Sequence, residues 1–332
     1  MDEITEETFK YTKKIDTLEL QLCPELTDKD FLTNLTNTLK DIRKNIFDTY
    51  GVPIPPVKIT CCEEPFSNPE VQIKVFIIGY CIQEINKNKK TDEIPDIIYN
   101  TIKHNLARCI TSSTIEKIYE EVQKDNPTLI TTLKSFTDSY AAVRRVLKEL
   151  VANYIPLHNM PLIFESIVDC YARFGIDKKS YCRLVYFARM ELAPTFITCL
   201  LNSKREFLFF KVSEEISKYL KKTDDDIFER DFLKPLNNEI KKVLEDNPYL
   251  PLVLDVNEEL RQYYHYKLIF FIPDLKVICK YEVDKANDFS PFEKKLIKTI
   301  DIPIPKKEEP TEKKKFVKKT PWIKKLSKKF KK

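Results

Sequence analysis

LELQL (Leu18–Leu22) followed by FLTNLTNTLKDIRKNIFDTYGVPIPPVKI (Phe31–Ile59) changes its hydrophobic period once, and that change sets the architecture of the N-terminal part of the chain. Leu18, Leu20 and Leu22 alternate with polar residues, the pattern of a strand with one buried face. From Phe31 the apolar residues Phe31, Leu32, Leu35, Leu39, Ile42, Ile46 and Phe47 recur at steps of three and four and make one stripe of a helix. Thr27 or Asp28 is placed to cap its start, and Gly51 falls where a left-handed C-terminal residue is wanted. Pro53, Pro55 and Pro56 then bar helix and force an extended run into Val57–Thr60. The product is a β-α-β unit, which needs a crossover and further sheet partners to close it.

Working outward, Val71, Ile73, Val75 and Ile77 alternate as another strand, which ends near Gly79 with an apolar continuation to Ile85. Asn86–Glu93, NKNKKTDE, is a polar connection. A helical run covers Ile97–Leu106 with Pro95 in its first turn, and Ser112 or Ser113 opens another with Ile115, Ile118, Tyr119 and Val122 on one face. Asn126-Pro127 breaks and restarts the chain, and Ala141–Tyr154, Met160–Phe174 and Lys178–Leu201 are three amphipathic helices. In the last third, strands at Phe207–Val212, Pro251–Asp255, Leu275–Ile278 and Ile300–Ile304 alternate with helices at Ser213–Leu220, Asp231–Leu244 and Glu258–Phe271, the spacing of a small α/β layer. The predicted fold class is therefore a mixed α+β and α/β chain of several subdomains. A linker at 1–16 precedes an N-terminal β-α-β (ferredoxin-like) subdomain at 17–110, a helical subdomain at 111–203, a small α/β subdomain at 204–305 and a disordered basic tail at 306–332.

Composition narrows the function. The 332 residues carry a formal charge of +5, but 306–332 holds thirteen lysines against three glutamates, so the rest of the chain is acidic by −5. Nine cysteines, odd in number and without a C-x-x-C pair, read as reduced thiols rather than a disulfide or metal framework. No apolar run approaches the ~18–20 residues that span a bilayer, and MDEITEETFK is too acidic for a signal peptide, so the chain reads as soluble. With three glycines, Gly51, Gly79 and Gly175, neither a P-loop nor a dinucleotide fingerprint can be written. The three histidines, His104, His158 and His265, stand far apart among polar helix residues and read as solvated or half-buried. Acidic pairs such as Glu120-Glu121, Asp224–Asp226 and Glu258-Glu259 read as helix-surface or capping charge. No catalytic residue, metal ligand or cofactor site is expected, and the chain reads as a protein that works through its surfaces.

The order LELQL, IRKNI helix, Gly51, PIPPVKI, VQIKVFIIG resembles the start of the cytoplasmic domain of the type III secretion export-gate family, known as FlhA in flagella and SctV in injectisomes. Later segments match in the same order. VRRVLKELVANYIPLHNMPLIFESIVDCYA is similar to the family's VLQNLL helix, V-x-I-R-D joint and ILE-x-LAD helix, although His158-Asn159 stands in place of Arg-Asp. YCRLVYFARMELAPTFI is similar to EYVRQALGRQI, and IPDLKVIC to LPQLVVLS, so that the resemblance runs from about 17 to 305. It implies a non-catalytic export-gate domain that forms rings, docks chaperone-bound substrates and other export-apparatus proteins, and works in the cytoplasm. Two departures stand out. Members normally carry a membrane-spanning half, and they insert a small subdomain where this chain has only 86–93. Two signature positions of the docking dimple fall in that missing segment. A third aligns with Asn100 or Thr101, and the aromatic residues Phe66 and Tyr99 are candidates to line what remains of the groove.

In the tail, TPWIKKLSKKFKK (320–332) sets Trp322, Ile323, Leu326 and Phe330 on one side of a prospective helix with lysines opposite, a pattern that suits an anionic membrane surface. No recognition fold for specific nucleic-acid binding is present in the sequence. A stand-alone, membrane-peripheral adaptor or regulator built on the same scaffold is the alternative to a gate component.

Overall fold

The structure, a computed structural model, describes residues 17–26, 28–136, 140–175, 181–220 and 229–304. Strand β1 (Leu18–Leu22) buries its three leucines and leaves Glu19 and Gln21 half-buried on the other face. Helix α1 (Lys29–Tyr50) starts at Asp28, whose carboxylate accepts from the amides of Asp30 and Phe31, and stops at Gly51, which has φ 66° and donates its N–H to the Phe47 carbonyl. Leu35, Leu39, Ile42, Ile46 and Tyr50 are buried, while Phe47 stays half exposed with its ring set edge-on against that of His158.

Strand β2 (Lys58–Cys61) lies parallel beside β1, and β3 (Val71–Ile77) runs antiparallel along its other side. The apolar run beyond Gly79 is a fourth strand, β4 (Tyr80–Asn86), folded back on β3 through Ile78 and Gly79 at φ 51° and 75°. Two consecutive positive φ values are what a primed two-residue hairpin turn requires. The sheet order is β2-β1-β3-β4. Because β1 and β2 are direct neighbours, in register from Glu19↔Lys58 to Leu22↔Cys61, the ferredoxin-like label is corrected: this is an unsplit β-α-β unit extended by a hairpin.

From β4 the chain reaches α2 (Ile94–His104) through the turns of 87–93, and continues into α3 (Leu106–Cys109), α4 (Ser112–Asp125) and α5 (Pro127–Phe136). Next come α6 (Ala141–Ala152), α7 (Met160–Phe174) and α8 (Tyr181–Thr198). Thr111 caps α4 and Asn159 caps α7 through their side-chain oxygens. The inner faces of these helices and of the first sheet share one apolar core, which includes Leu20, Ile46, Leu147, Phe164 and Val185.

The second sheet has the order β7-β6-β5-β8 and is parallel throughout. It is built from β5 (Glu206–Val212), β6 (Leu252–Leu254), β7 (Val277–Cys279) and β8 (Glu293–Ile300). The remaining helices are α9 (Glu214–Leu220), α10 (Glu229–Asp246), α11 (Glu258–Ile269) and α12 (Lys280–Phe289). Two corrections follow. The last strand is Glu293–Ile300 rather than Ile300–Ile304, and α12 has no counterpart in the sequence reading. Every residue of β8 except Ile300 is exposed, so EKKLIKTI carries no alternation, and α12 buries Glu282 beside Val283 and Ala286, so its inner face is not written in apolar letters.

Gly51 is also a packing constraint between layers. A Cβ there would stand 2.9 Å from the His158 nitrogen and 3.0 Å from the Leu157 carbonyl carbon, both main-chain atoms of the joint between α6 and α7. Gly51→Ala therefore combines left-handed backbone strain with a clash against a main chain that cannot swing aside. The expected loss is roughly 2–3 kcal/mol in urea unfolding; a loss below about 0.5 kcal/mol would contradict this packing.

Candidate functional site

Four charged side chains are buried together where α8, α11 and α12 meet. Arg189 of α8 donates to both oxygens of Glu282, from Nε to Oε1 at 2.6 Å and from Nη2 to Oε2 at 3.1 Å. Arg261 of α11 makes the same two-pronged contact with Glu258, at 2.8 and 2.6 Å, and Arg189 Nε lies 3.8 Å from Glu258, which joins the two pairs. Their side chains are 2%, 1%, 0% and 7% exposed for Arg189, Glu282, Arg261 and Glu258. Remaining donors and acceptors are largely used: Arg261 Nη1 donates to Asn153 Oδ1 at 2.6 Å, and Glu282 Oε2 accepts from the Cys279 amide at 2.7 Å, closing the first turn of α12. Arg189 Nη1 is the exception, buried without a partner. Burial opposes the charge on Arg261, but the Glu258 carboxylate more than offsets it and holds the guanidinium above its ordinary range. Glu258, expected as helix-surface or capping charge, does stand in the first turn of α11, but it is buried rather than solvated.

His265 needs the same correction, since it is 1% exposed. Its Nε2 donates to the Ala152 carbonyl at 3.2 Å, and Nδ1 is buried with no partner. Burial, then the positive charges of Arg261 and Arg189, push its pKa down to about 3, so the ring is neutral. The other two histidines lie elsewhere: His104 Nε2 is 3.4 Å from Asp274 Oδ1, and His158 Nε2 is 3.1 Å from the Asp48 carbonyl. Among the described residues, no group of three or more His, Cys, Asp or Glu side chains is arranged to hold a metal ion.

Beside the charged cluster opens a cleft of about 570 Å3 at the junction of the three layers. The end of α1 contributes Tyr50, α2 contributes Asn100 and Lys103, the α6–α7 joint contributes Tyr154, and the turn before β7 contributes Asp274 and Lys276. Asp274 ties the last layer to the first: Lys103 Nζ sits 2.6 Å from Oδ1, and the hydrogen bonds from His104 and Lys103 hold the carboxyl well below the usual range despite partial burial. Tyr154, at φ 56°, donates its hydroxyl to the Pro273 carbonyl at 2.9 Å and lies under the Lys103 ammonium, 5.4 Å from its ring centroid.

The residues singled out from sequence do not form one patch. Asn100 is exposed and lines the cleft, and Tyr99 lies against the Tyr50 hydroxyl. Thr101, the alternative to Asn100, is buried with its hydroxyl donated to the Ile97 carbonyl. Phe66 stacks under Lys74, 4.7 Å from ammonium to ring centroid, on the sheet face opposite Ile73 and Val75 and so away from the cleft. Trp322, Ile323, Leu326 and Phe330 lie outside the described residues. No helix among the described residues is long and apolar enough to cross a membrane.

Two sheets flank a helical middle, and buried ion pairs join that middle to the second sheet. The FHIPEP family model matches residues 81–288, and the chain belongs to that family of type III secretion export gates. Its fold is that of their cytoplasmic domains. The cryo-EM structure of nonameric EPEC SctV-C superposes with a TM-score of 0.67 at 14% identity, covering 87% of this chain and 99% of that one. The Shigella flexneri MxiA protein gives 0.66 at 16%, covering 86% and 99%, and the Chlamydia pneumoniae CdsV protein 0.65 at 11%, covering 88% and 99%. No curated protein matches the sequence.

The neutral, buried His265 sets a pH dependence with a definite sign. Unfolded, the imidazole takes a proton near its ordinary 6.5; folded, it does so only near 3. In that window the unfolded state binds more protons, so stability falls as pH drops from 6.5 toward 3. Urea midpoints measured across this range should fall less steeply for His265→Gln than for the wild type, and parallel curves would contradict the assignment.

Proposed function

We propose that this chain is a non-catalytic platform of a type III secretion or flagellar export apparatus, which assembles into a ring on the cytoplasmic side and receives export-apparatus proteins and chaperone-bound substrates. The observation that carries this reading is membership of the FHIPEP family over residues 81–288. Relatives of the same fold support the finer points: SctV-C of EPEC and the EscV cytosolic domain are nonameric, and CdsV of Chlamydia pneumoniae is known in complex with CdsO. The chain passes from β4 to α2 through seven residues, 87–93, so docking does not use a dimple against an inserted subdomain here. In this reading docking falls instead beside the junction cleft, where Asn100 and the 85%-exposed Tyr249 lie on the wall. The rigid coupling of the layers suits a surface that must keep its shape while partners come and go.

Mass photometry of the full chain, with affinity capture of the CdsO counterpart from the same source, tests this. The expected result is a ring-sized species near nine copies of the 39.3 kDa chain together with retention of that partner. A chain that stays monomeric over the accessible concentration range and retains no export-apparatus component would contradict it.

A further inference from the structure

We propose that the junction cleft binds a small oxyanion, a phosphate or carboxylate group carried on an apolar body. Three cationic side chains line the cleft, Lys103, Arg189 and Lys276, against one carboxylate, Asp274. Lys103 is engaged by that carboxylate at 2.6 Å, and Arg189 by Glu282. Lys276 is different: among the described residues its half-buried ammonium makes neither a hydrogen bond nor an ion pair. Burial and the nearby Lys103 charge both press it toward the neutral form, outweighing the opposing fields of Asp274, already shared with Lys103 and His104, and of Cys199. Arg189, which lines the same cleft, holds a second donor without an acceptor, Nη1, in a side chain 2% exposed. Desolvated cationic donors that lack acceptors are stabilised by an anion and by little else.

The shape of the cleft suits the same ligand. About 570 Å3 is the size of a small-molecule site, and the walls beyond the charges are Tyr50, Tyr154, Phe196 and Leu200, which offer ring faces and apolar surface to a compact organic body. The cleft is formed by three layers at once, so a ligand seated there touches each of them and would favour the closed arrangement of all three. None of this depends on the secretion role, because the charges and the volume belong to this chain alone.

Isothermal titration of the full chain with phenyl phosphate, benzoate and inorganic phosphate at constant ionic strength tests the proposal. The expected result is that at least one of the two aromatic anions binds more tightly than inorganic phosphate, with the better one reporting which oxyanion the site takes. Lys276→Met should weaken that binding at least tenfold while leaving the melting temperature of the unliganded protein unchanged or higher, since it removes a desolvated charge. Lys298→Met, on exposed β8, should bind as the wild type does. If circular dichroism shows that Lys276→Met is misfolded, Lys276→Gln takes its place. No saturable binding at millimolar concentrations, or equal affinity in the wild type and the Lys276 variants, would overturn the proposal.

Discussion

The arrangement of this molecule rests on two buried arginine–glutamate pairs, Arg189–Glu282 and Arg261–Glu258, clasped at the meeting of α8, α11 and α12. Two charges of each sign leave the cluster neutral, which is the condition for keeping it in the core: a lone buried charge costs several kcal/mol, whereas a fully hydrogen-bonded pair roughly breaks even. Such a cluster adds little net stability. Its effect is on geometry, because planar guanidinium and carboxylate groups tolerate small errors of angle far less than leucines do. Here it fixes how the helical middle meets the second sheet, with Asn153 at the end of α6 and the Cys279 amide at the start of α12 drawn into the same lattice.

A second clasp works on the first layer. Gly51 brings the end of α1 against the main chain at His158, the Leu157 amide donates to the Tyr50 carbonyl at 2.8 Å, and Asp274 reaches from the turn before β7 to Lys103 and His104 on α2. The three layers therefore meet around one cleft rather than stacking as beads on a string. For a docking platform this has a plain consequence: a partner that presses on one layer presses on all of them, and an occupant of the cleft is felt by each.

How much of this could be read in the letters depends on what each element buries. The α1 stripe, the β1 alternation, the Asp28 cap and the Gly51 stop were all legible, because their burial is apolar and their caps use common chemistry. The α11 helix was placed correctly but its inner face was not, since Glu258, Arg261 and His265 look like solvent-facing residues until the distant groups they meet, Arg189, Asn153 and the Ala152 carbonyl, are known. One signal was available: Arg189 falls within the stripe Leu184, Val185, Ala188 and Leu192, where a charge is unexpected. The cleft itself had no such signal, because Tyr50, Lys103, Tyr154 and Lys276 come together only through tertiary packing, and β8 was misplaced because an exposed edge strand lacks a period.

A double-mutant cycle on Arg189 and Glu282, with Arg189→Met and Glu282→Gln followed by urea unfolding of the full chain, decides whether the buried pair sets the junction. If the pair sets the junction, each single change leaves a buried charge without its partner and lowers stability by about 3–5 kcal/mol. The double variant then loses clearly less than the two combined, with a coupling energy of at least roughly 2 kcal/mol. Single losses under about 1 kcal/mol that simply add would contradict the account.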